Sequence, residues 1–518
     1  MKPISSDVAA TRTALAPPEA RPLPGGLAAA LVFLSSGAVL MLETVALRLV
    51  GPYLGVTLQV TSSVIGVALA AIAYGAWFGG WLADRRDPRT LLAPAFVLAG
   101  IATALTLPAV RYAGEWLRGG APAAILLLTS LAVFVPAGLL AAVTPLVVKL
   151  QLGDLRRTGQ VVGKLSSVGT LGGITATFGT GFVLVAALSS TTIVVGLAVL
   201  LGLTGLALAE YLRRRVGVAA AGRSRVGAAL AVLGLAGAAL STVAPNPCDV
   251  ETAYHCARVV PDPARPDGRT LLLNSAQHSY VDLADPRHLK FAYTQWIGLV
   301  ADRFTAPDRP VAALHLGGGG FTVPRYLTAT RPGTENLVFE LDGGLVELDR
   351  RELGVRPGPD LRTMVGDARV LLGNRPDRSA DLVVGDAFGH LVVPWHLATR
   401  EMMAEIRRVL RPGGVYVQNV IDYPPVRFVR AELATVAAEF AHVAVIAPPD
   451  ALADRRGANF LIVASDEPLP LASLRDGLAK LDTDPAELLT GPELSEFVGP
   501  AQVLTDAFAP VDQLLVKG

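Results

Sequence analysis

Seven long apolar stretches in the first half of the chain constrain the fold more than any other feature. They run approximately over 27–49, 58–82, 91–110, 122–148, 165–187, 189–210 and 226–244, and about 20 predominantly apolar residues suffice for a helix to cross roughly 30 Å of hydrocarbon. With 17% charged against 52% hydrophobic residues and a mean hydropathy of +0.47, the 518-residue chain departs from the soluble balance of about 25% charged. Embedding in a lipid bilayer accounts for the bias, because nearly all of it precedes Pro245. The fourth stretch holds Pro136 and Pro145, which also allow a kinked or re-entrant path. Residues 1–25 are polar and proline-rich and read as a disordered cytoplasmic tail, not a signal peptide.

Sidedness follows from the basic residues of the short loops. Arg85, Arg86 and Arg89 follow the second stretch, Lys149, Arg156, Arg157 and Lys164 the fourth, and Arg213, Arg214, Arg215, Arg223 and Arg225 the sixth, whereas the opposite loops hold chiefly Arg111 and Arg118. An odd number of spans with the N-terminus inside predicts a multi-pass protein of the cell membrane with everything after Thr242 on the outer face. The two cysteines, Cys248 and Cys256, stand together just after the last stretch. An oxidising compartment would let them close a short loop, and two buried free thiols are the alternative. His255 alone completes no zinc set, and no metal site is expected.

A formal net charge of +1 provides no basic field and excludes nucleic acid as an expected partner. Glu43, inside the first stretch, must face the bundle, a cavity or Arg48. It reads as an intramembrane ion pair or as a contact for a cation. Gly169 and Gly173, four apart in the fifth stretch, permit close helix approach, and GGWLADRRDPR at 79–89 looks like the basic loop of major-facilitator transporters.

From Val311 the pattern changes to short apolar runs alternating with helical periodicity, which predicts a mainly parallel, doubly wound α/β domain of Rossmann-like, methyltransferase type. Candidate strands are 311–316, 336–341, 361–365, 381–386, 414–420, 442–447 and 459–465. Ligands of such sheets lie beyond the carboxyl ends of the strands. The first strand ends in LHLGGGGF, where Gly317, Gly318 and Gly319 let the backbone approach a ligand closely. The second ends in FELD, so Glu340 and Asp342 are placed to accept from ribose hydroxyls. The third runs into VGDA, placing Asp367 and Ala368 near an adenine, with a helix cap as the equal alternative for Asp367. The fourth ends at Asp386. Together these tips predict a nucleoside site, and the absence of a second mononucleotide half argues against a nicotinamide dinucleotide. The domains expected are transmembrane helices over 26–245, a small β domain and linker helix over 246–305, the α/β domain over 306–466 and a helical tail over 467–518, including LASLRDGLAKL and PAELLTG.

The order GGGG, FELD, VGDA, a strand ending in Asp386, then VLRPGGVYVQN at 409–419, resembles the spermidine synthase family of polyamine aminopropyltransferases, especially its membrane-fused members. RTLLLNSAQHSYVDLADPRHLKFAY at 269–293 is similar to that family's small β domain, and ETAYHCARVV to its first strand. The resemblance implies decarboxylated S-adenosylmethionine as co-substrate, with no tightly bound cofactor, and a small-molecule amine or polyamine as acceptor. It implies Asp386 as the catalytic proton acceptor, Glu340 on the ribose, Asp367 on the adenine, and Gln277, His278, Tyr280 and Tyr293 as pocket wall. A homodimer is left open. The family's acid in the glycine loop is Gly320 here, the one after the catalytic acid is Gly389, and its YHE pattern reads Tyr293, Thr294, Gln295. The nucleoside half looks retained and the amine half rewritten. Rival readings are a methyltransferase of the same fold using S-adenosylmethionine, and a non-catalytic transporter or sensor binding a nucleoside or polyamine.

Overall fold

The structure, a computed structural model, describes residues 23–55, 57–118, 121–152, 155–216, 234, 236–237, 239–241, 243–274, 276–305, 309–388 and 393–515. Among them six helical segments are long and apolar enough to cross a membrane: Gly25–Leu54, Leu58–Ala83, Pro88–Trp116, Pro122–Gln151, Thr158–Ala187 and Ser190–Arg215. Most of the tail over 1–25 lies outside the described residues, and so does most of the seventh stretch, 226–244. The part of that stretch that is described is helical and runs beside the third span, where the Ser241 hydroxyl donates to the Ala104 carbonyl at 3.3 Å. The fourth span is interrupted at Ala142, three residues before Pro145, whose ring nitrogen cannot donate to the preceding turn.

Glycines set how closely these helices pack. A Cβ on Gly172 would lie 2.2 Å from the Phe33 carbonyl oxygen, and one on Gly75 equally close to that of Gly138. In lipid no hydrophobic force draws helices together, so the van der Waals contact these small residues permit does that work. Lys149 pairs with Asp84 at 2.7 Å and Gln151 donates to the Leu23 carbonyl at 2.8 Å. The start of the first span and the basic ends of the second and fourth therefore share one end of the bundle. At the opposite end Arg111 reaches Thr191 at 2.7 Å and the Ser241 carbonyl at 3.1 Å.

Beyond the bundle come four short strands, β1 (Val250–Glu251), β2 (Cys256–Asp262), β3 (Arg265–Leu273) and β4 (Ala276–Asp282), forming an antiparallel sheet in that order. Cys248 and Cys256 are disulfide-bonded, realising the first of the two alternatives for the pair. A helix over Ala292–Phe304 leads into β5 (Ala312–Leu316), β6 (Glu335–Glu340), β7 (Leu361–Val365), β8 (Ala380–Gly385), β9 (Leu410–Asp422), β10 (His442–Ala447), β11 (Ala458–Ser465) and β12 (Glu487–Thr490). The eight-stranded sheet has the order β12-β10-β11-β9-β8-β5-β6-β7. Strands β5 to β9 pair in parallel, and β10, β11 and β12 extend the sheet antiparallel. Helices cover both faces, burying Tyr416, Phe460, Met402 and Ile406 on one and Leu382, Val417, Trp296 and Ile297 on the other.

The tail departs from the expected run of helices. LASLRDGL is helical over Leu471–Leu478, but PAELLTG supplies β12, which pairs with β10 from Ala444↔Thr490 to Ala447↔Glu487. The open edge of β10 offers unpaired backbone groups that satisfy those of β12, a tertiary effect that outweighs local helix propensity.

Candidate active site

Strand β5 ends at Leu316, and Gly317 turns away at φ +98°. A Cβ there would lie 2.3 Å from the Asp386 carbonyl oxygen, so the glycine is what lets the tips of β5 and β8 close on each other. Gly319, at φ +48°, and Gly317 both line a cavity of about 260 Å³. Gly318 is set back from it and donates its N–H to Glu340 Oε2 at 2.8 Å. Glu340 Oε1 accepts from the Asp342 N–H at 2.9 Å. A carboxylate has about four acceptor sites, so two remain on Glu340, at the cavity wall, for a pair of hydroxyls.

Asp367 and Ala368 line the same cavity. Asp367 Oδ1 caps the helix Ala368–Gly373 by accepting from Arg369 and Val370 at 2.9 and 3.2 Å, and Oδ2 lies 2.9 Å from His396 Nε2. The cap and the ligand position are thus compatible in one side chain. Asp342 lies elsewhere. Its carboxylate is 1% exposed, caps the helix Gly343–Glu352 and pairs with His255 Nδ1 at 2.9 Å. It supports the cavity from behind, because the chain turns into the helix directly after Leu341.

Asp386 stands where this cavity meets a second one of about 580 Å³. Asn419 Nδ2 donates to Asp386 Oδ1 at 2.8 Å, and Asn459 Nδ2 donates in turn to Asn419 Oδ1 at 2.9 Å, fixing the carboxylate's orientation. The Tyr293 hydroxyl also hydrogen-bonds Asp386 and lies 3.3 Å from the His278 carbonyl. Burial pushes the Asp386 carboxyl up to about 6, against the lowering pull of the Asn419 and Tyr293 hydrogen bonds. It is a carboxylate poised to exchange a proton near neutral pH.

The larger cavity is lined by Gln277, His278 and Tyr293, and also by Trp296, Phe388 and Asn459. Tyr280 does not reach it. In the β3–β4 pairing Leu271 faces Ser279 and Leu272 faces Gln277, leaving His278 as an extra, bulged residue; the bulge breaks the strand's alternation, and the Tyr280 hydroxyl bonds Asp262 at 3.0 Å instead. At Gly320 a Cβ would lie 2.9 Å from Ser279 Cβ, so Ser279 fills the space an acid would need. Gly389 lies outside the described residues. Besides Asp386, the acids at this cavity's wall are Asp482 and Asp484, beside Arg456, from the loop before β12. Neither had a sequence signal, since only the pairing of β12 brings that loop to the site. Tyr254 and His255, on the nucleoside side, lie within ETAYHC itself, so the resemblance that singled out Gln277 extended to them as well. Among the described residues no group of His, Cys, Asp and Glu could hold a metal ion.

No family model matches the chain. A curated polyamine aminopropyltransferase from Vibrio vulnificus is 28% identical over 140 residues, 27% of this chain and 46% of that protein. The chain thus spans under half the length of this relative. Among solved structures, a "probable spermidine synthase" from Corynebacterium glutamicum is 29% identical, covering 50% of this chain and 95% of its own at a TM-score of 0.46. The spermidine synthase of Thermotoga maritima is 14% identical, with 45% and 76% covered and a TM-score of 0.34.

Proposed function

We propose that this chain, a relative of the polyamine aminopropyltransferases carrying several helices apolar enough to span a membrane, transfers an aminopropyl group from decarboxylated S-adenosylmethionine to an amine. The observation that carries the reading is the junction at Asp386, where a cavity bounded by Gly317, Glu340 and Asp367 opens into one able to admit an acceptor. The adenosine would lie with its ribose hydroxyls on Glu340 and its adenine amino group on Asp367. Its sulfonium would then face Asp386.

The acceptor attacks as the free amine, although an amine in water titrates near 10, like that of lysine. Its nitrogen forms a bond to the methylene carbon beside the sulfonium, the carbon–sulfur bond breaks, and the electron pair stays on the sulfur of the departing methylthioadenosine. The proton lost by the amine goes to Asp386, held in register by Asn419 and Tyr293. The sulfonium needs no assistance to leave, since it departs as a neutral thioether. Purified protein given decarboxylated S-adenosylmethionine and a panel of amines, from simple diamines to longer polyamines, should release methylthioadenosine in step with consumption of one of them. Release of neither product, or conversion of S-adenosylmethionine to S-adenosylhomocysteine instead, would overturn the reading.

For the acceptor, the replacement of the family acids by Gly320 and Gln295 favours an amine other than a simple diamine, gripped at its far end by Asp482 or Asp484. For sidedness, the α/β domain belongs on the outer face. Two observations support this: Glu251 docks on the bundle end opposite the basic loops, and the bonded cysteines suit an oxidising compartment.

A further inference from the structure

Between the bundle and the nucleoside cavity lies one short hairpin, residues 251–256, held at both ends. On the membrane side Arg48 of the first span donates Nη1 to the Ala253 carbonyl at 2.6 Å and Nη2 to the Thr252 carbonyl, and its Nε lies 3.4 Å from Glu251 Oε1. Glu251 also accepts from the backbone N–H of Ser190 at 2.8 Å and from its hydroxyl. It thereby places a negative charge at the N-terminus of the sixth span, where the helix dipole favours one. Two spans therefore meet on Glu251, and the first also holds Thr252 and Ala253.

The hairpin is closed on itself. Glu251 pairs with Cys256 in the β1–β2 register, Cys256 is bonded to Cys248, and Thr252 Oγ1 accepts from the N–H of His255 at 2.8 Å. On the far side Thr252 Oγ1 donates to Asp342 Oδ2, which also takes His255 Nδ1, and the Asp342 N–H holds Glu340 Oε1. Tyr254 and His255, at the turn, are cavity wall. Every link from Arg48 to Glu340 is a hydrogen bond or a rigid turn.

We propose that Arg48 is a positioning residue for the nucleoside cavity: by fixing the hairpin 251–256 it sets the placement of Tyr254, His255 and, through Asp342, Glu340, so that the helix bundle governs nucleoside affinity. This deepens the aminopropyltransferase reading and rests on it only for the ligand. The guanidinium supplies planar, forked donors to two adjacent carbonyls and a carboxylate, a geometry an ammonium cannot reproduce. The bundle is thus more than an anchor, because a shift of the first span against the sixth must move the cavity wall.

The test uses the full chain in lipid nanodiscs, with methylthioadenosine as the probe. Arg48→Ala should weaken methylthioadenosine binding about tenfold, the scale of a lost charge-assisted hydrogen bond, leave the acceptor KM unchanged, and be rescued only partly by Arg48→Lys. Glu251→Gln, a milder change should Arg48→Ala fail to fold, should weaken binding in the same direction. Arg214→Ala, which breaks an exposed pair at the opposite end of the bundle, should have no effect. Amide hydrogen exchange adds an arm free of ligand: the N–H groups of Thr252, Tyr254 and His255 should exchange faster in Arg48→Ala. Binding within twofold of the parent together with unchanged exchange would overturn the inference. Loss of methylthioadenosine binding in the parent itself would instead strike the aminopropyltransferase reading, leaving the exchange result to decide on the hairpin.

Discussion

Replacing Asp386 with asparagine removes the proton acceptor while keeping the volume and an oxygen for the Asn419 amide, whose contact is 2.8 Å. A positioned general base contributes about 10² to 10⁴ in rate, so the turnover of Asp386→Asn should fall by that factor, a rise of about 3 to 5 kcal/mol in the barrier. The parent has its own pH signature. Burial holds the Asp386 carboxyl at about 6, and only the ionised form accepts the proton, so kcat should climb as pH rises through about 6. In Asp386→Asn that limb should vanish. Stability moves the other way. A folded pKa raised from 3.8 to about 6 means that stability present below the unfolded value is lost as pH rises through the folded one. At pH 7 the asparagine variant should therefore be the more stable, by up to about 3 kcal/mol. The assay is chromatographic measurement of methylthioadenosine from about pH 5 to 8, with methylthioadenosine binding as a check on the fold, since that ligand is neutral and does not need the charge. Turnover within threefold of the parent, or a persisting limb near pH 6, would refute the reasoning.

Neutralising the acids of the larger cavity, Asp482→Asn with Asp484→Asn, should raise the acceptor KM about tenfold, since partly exposed charge pairs contribute about 1 kcal/mol or somewhat more, while methylthioadenosine binding stays constant; equal changes in both would place the acids outside acceptor recognition. Glu432, fully buried on Gln418 at 2.7 Å, has its carboxyl pushed up by burial to about 8. The parent should lose stability between about pH 4.5 and 8, by up to about 1.4 kcal/mol per pH unit, and Glu432→Gln should flatten that slope in urea titrations. A membrane-impermeant thiol reagent applied to intact cells should label Cys248 and Cys256 after reduction and not before, and labelling only after permeabilisation would put the α/β domain inside.

Seven of the eight strands of the sheet were legible because each is a short apolar run, most of them closed by glycine or an acid, and the acids at the parallel tips were legible because parallel sheets gather those tips at one edge. What local pattern could not separate was direction. Glu340 and Asp342 both follow the same strand, yet the chain turns after Leu341 and sends Asp342 to the helix Gly343–Glu352. Tyr280 sits two residues from His278 and the period of a strand would put both on one face, but the register shift at His278 breaks that alternation, and no local pattern announces it. Asn419 and Asn459, which aim Asp386, lie on strands whose neighbourhood is antiparallel pairing between distant segments. The same holds for Asp482 and Asp484, delivered by a strand whose sequence reads as a helix. Arg48 was visible only as a basic residue near Glu43, because its partners lie more than 140 residues away.

The most direct measurement is calorimetric titration of the purified full chain with methylthioadenosine, beside a Glu340→Ala variant. A single saturable site in the parent, weakened at least about tenfold by the loss of two hydroxyl contacts to a carboxylate, is the expected result. No saturable binding in the parent, or equal binding by both proteins, would contradict the assignment of that cavity to an adenosine.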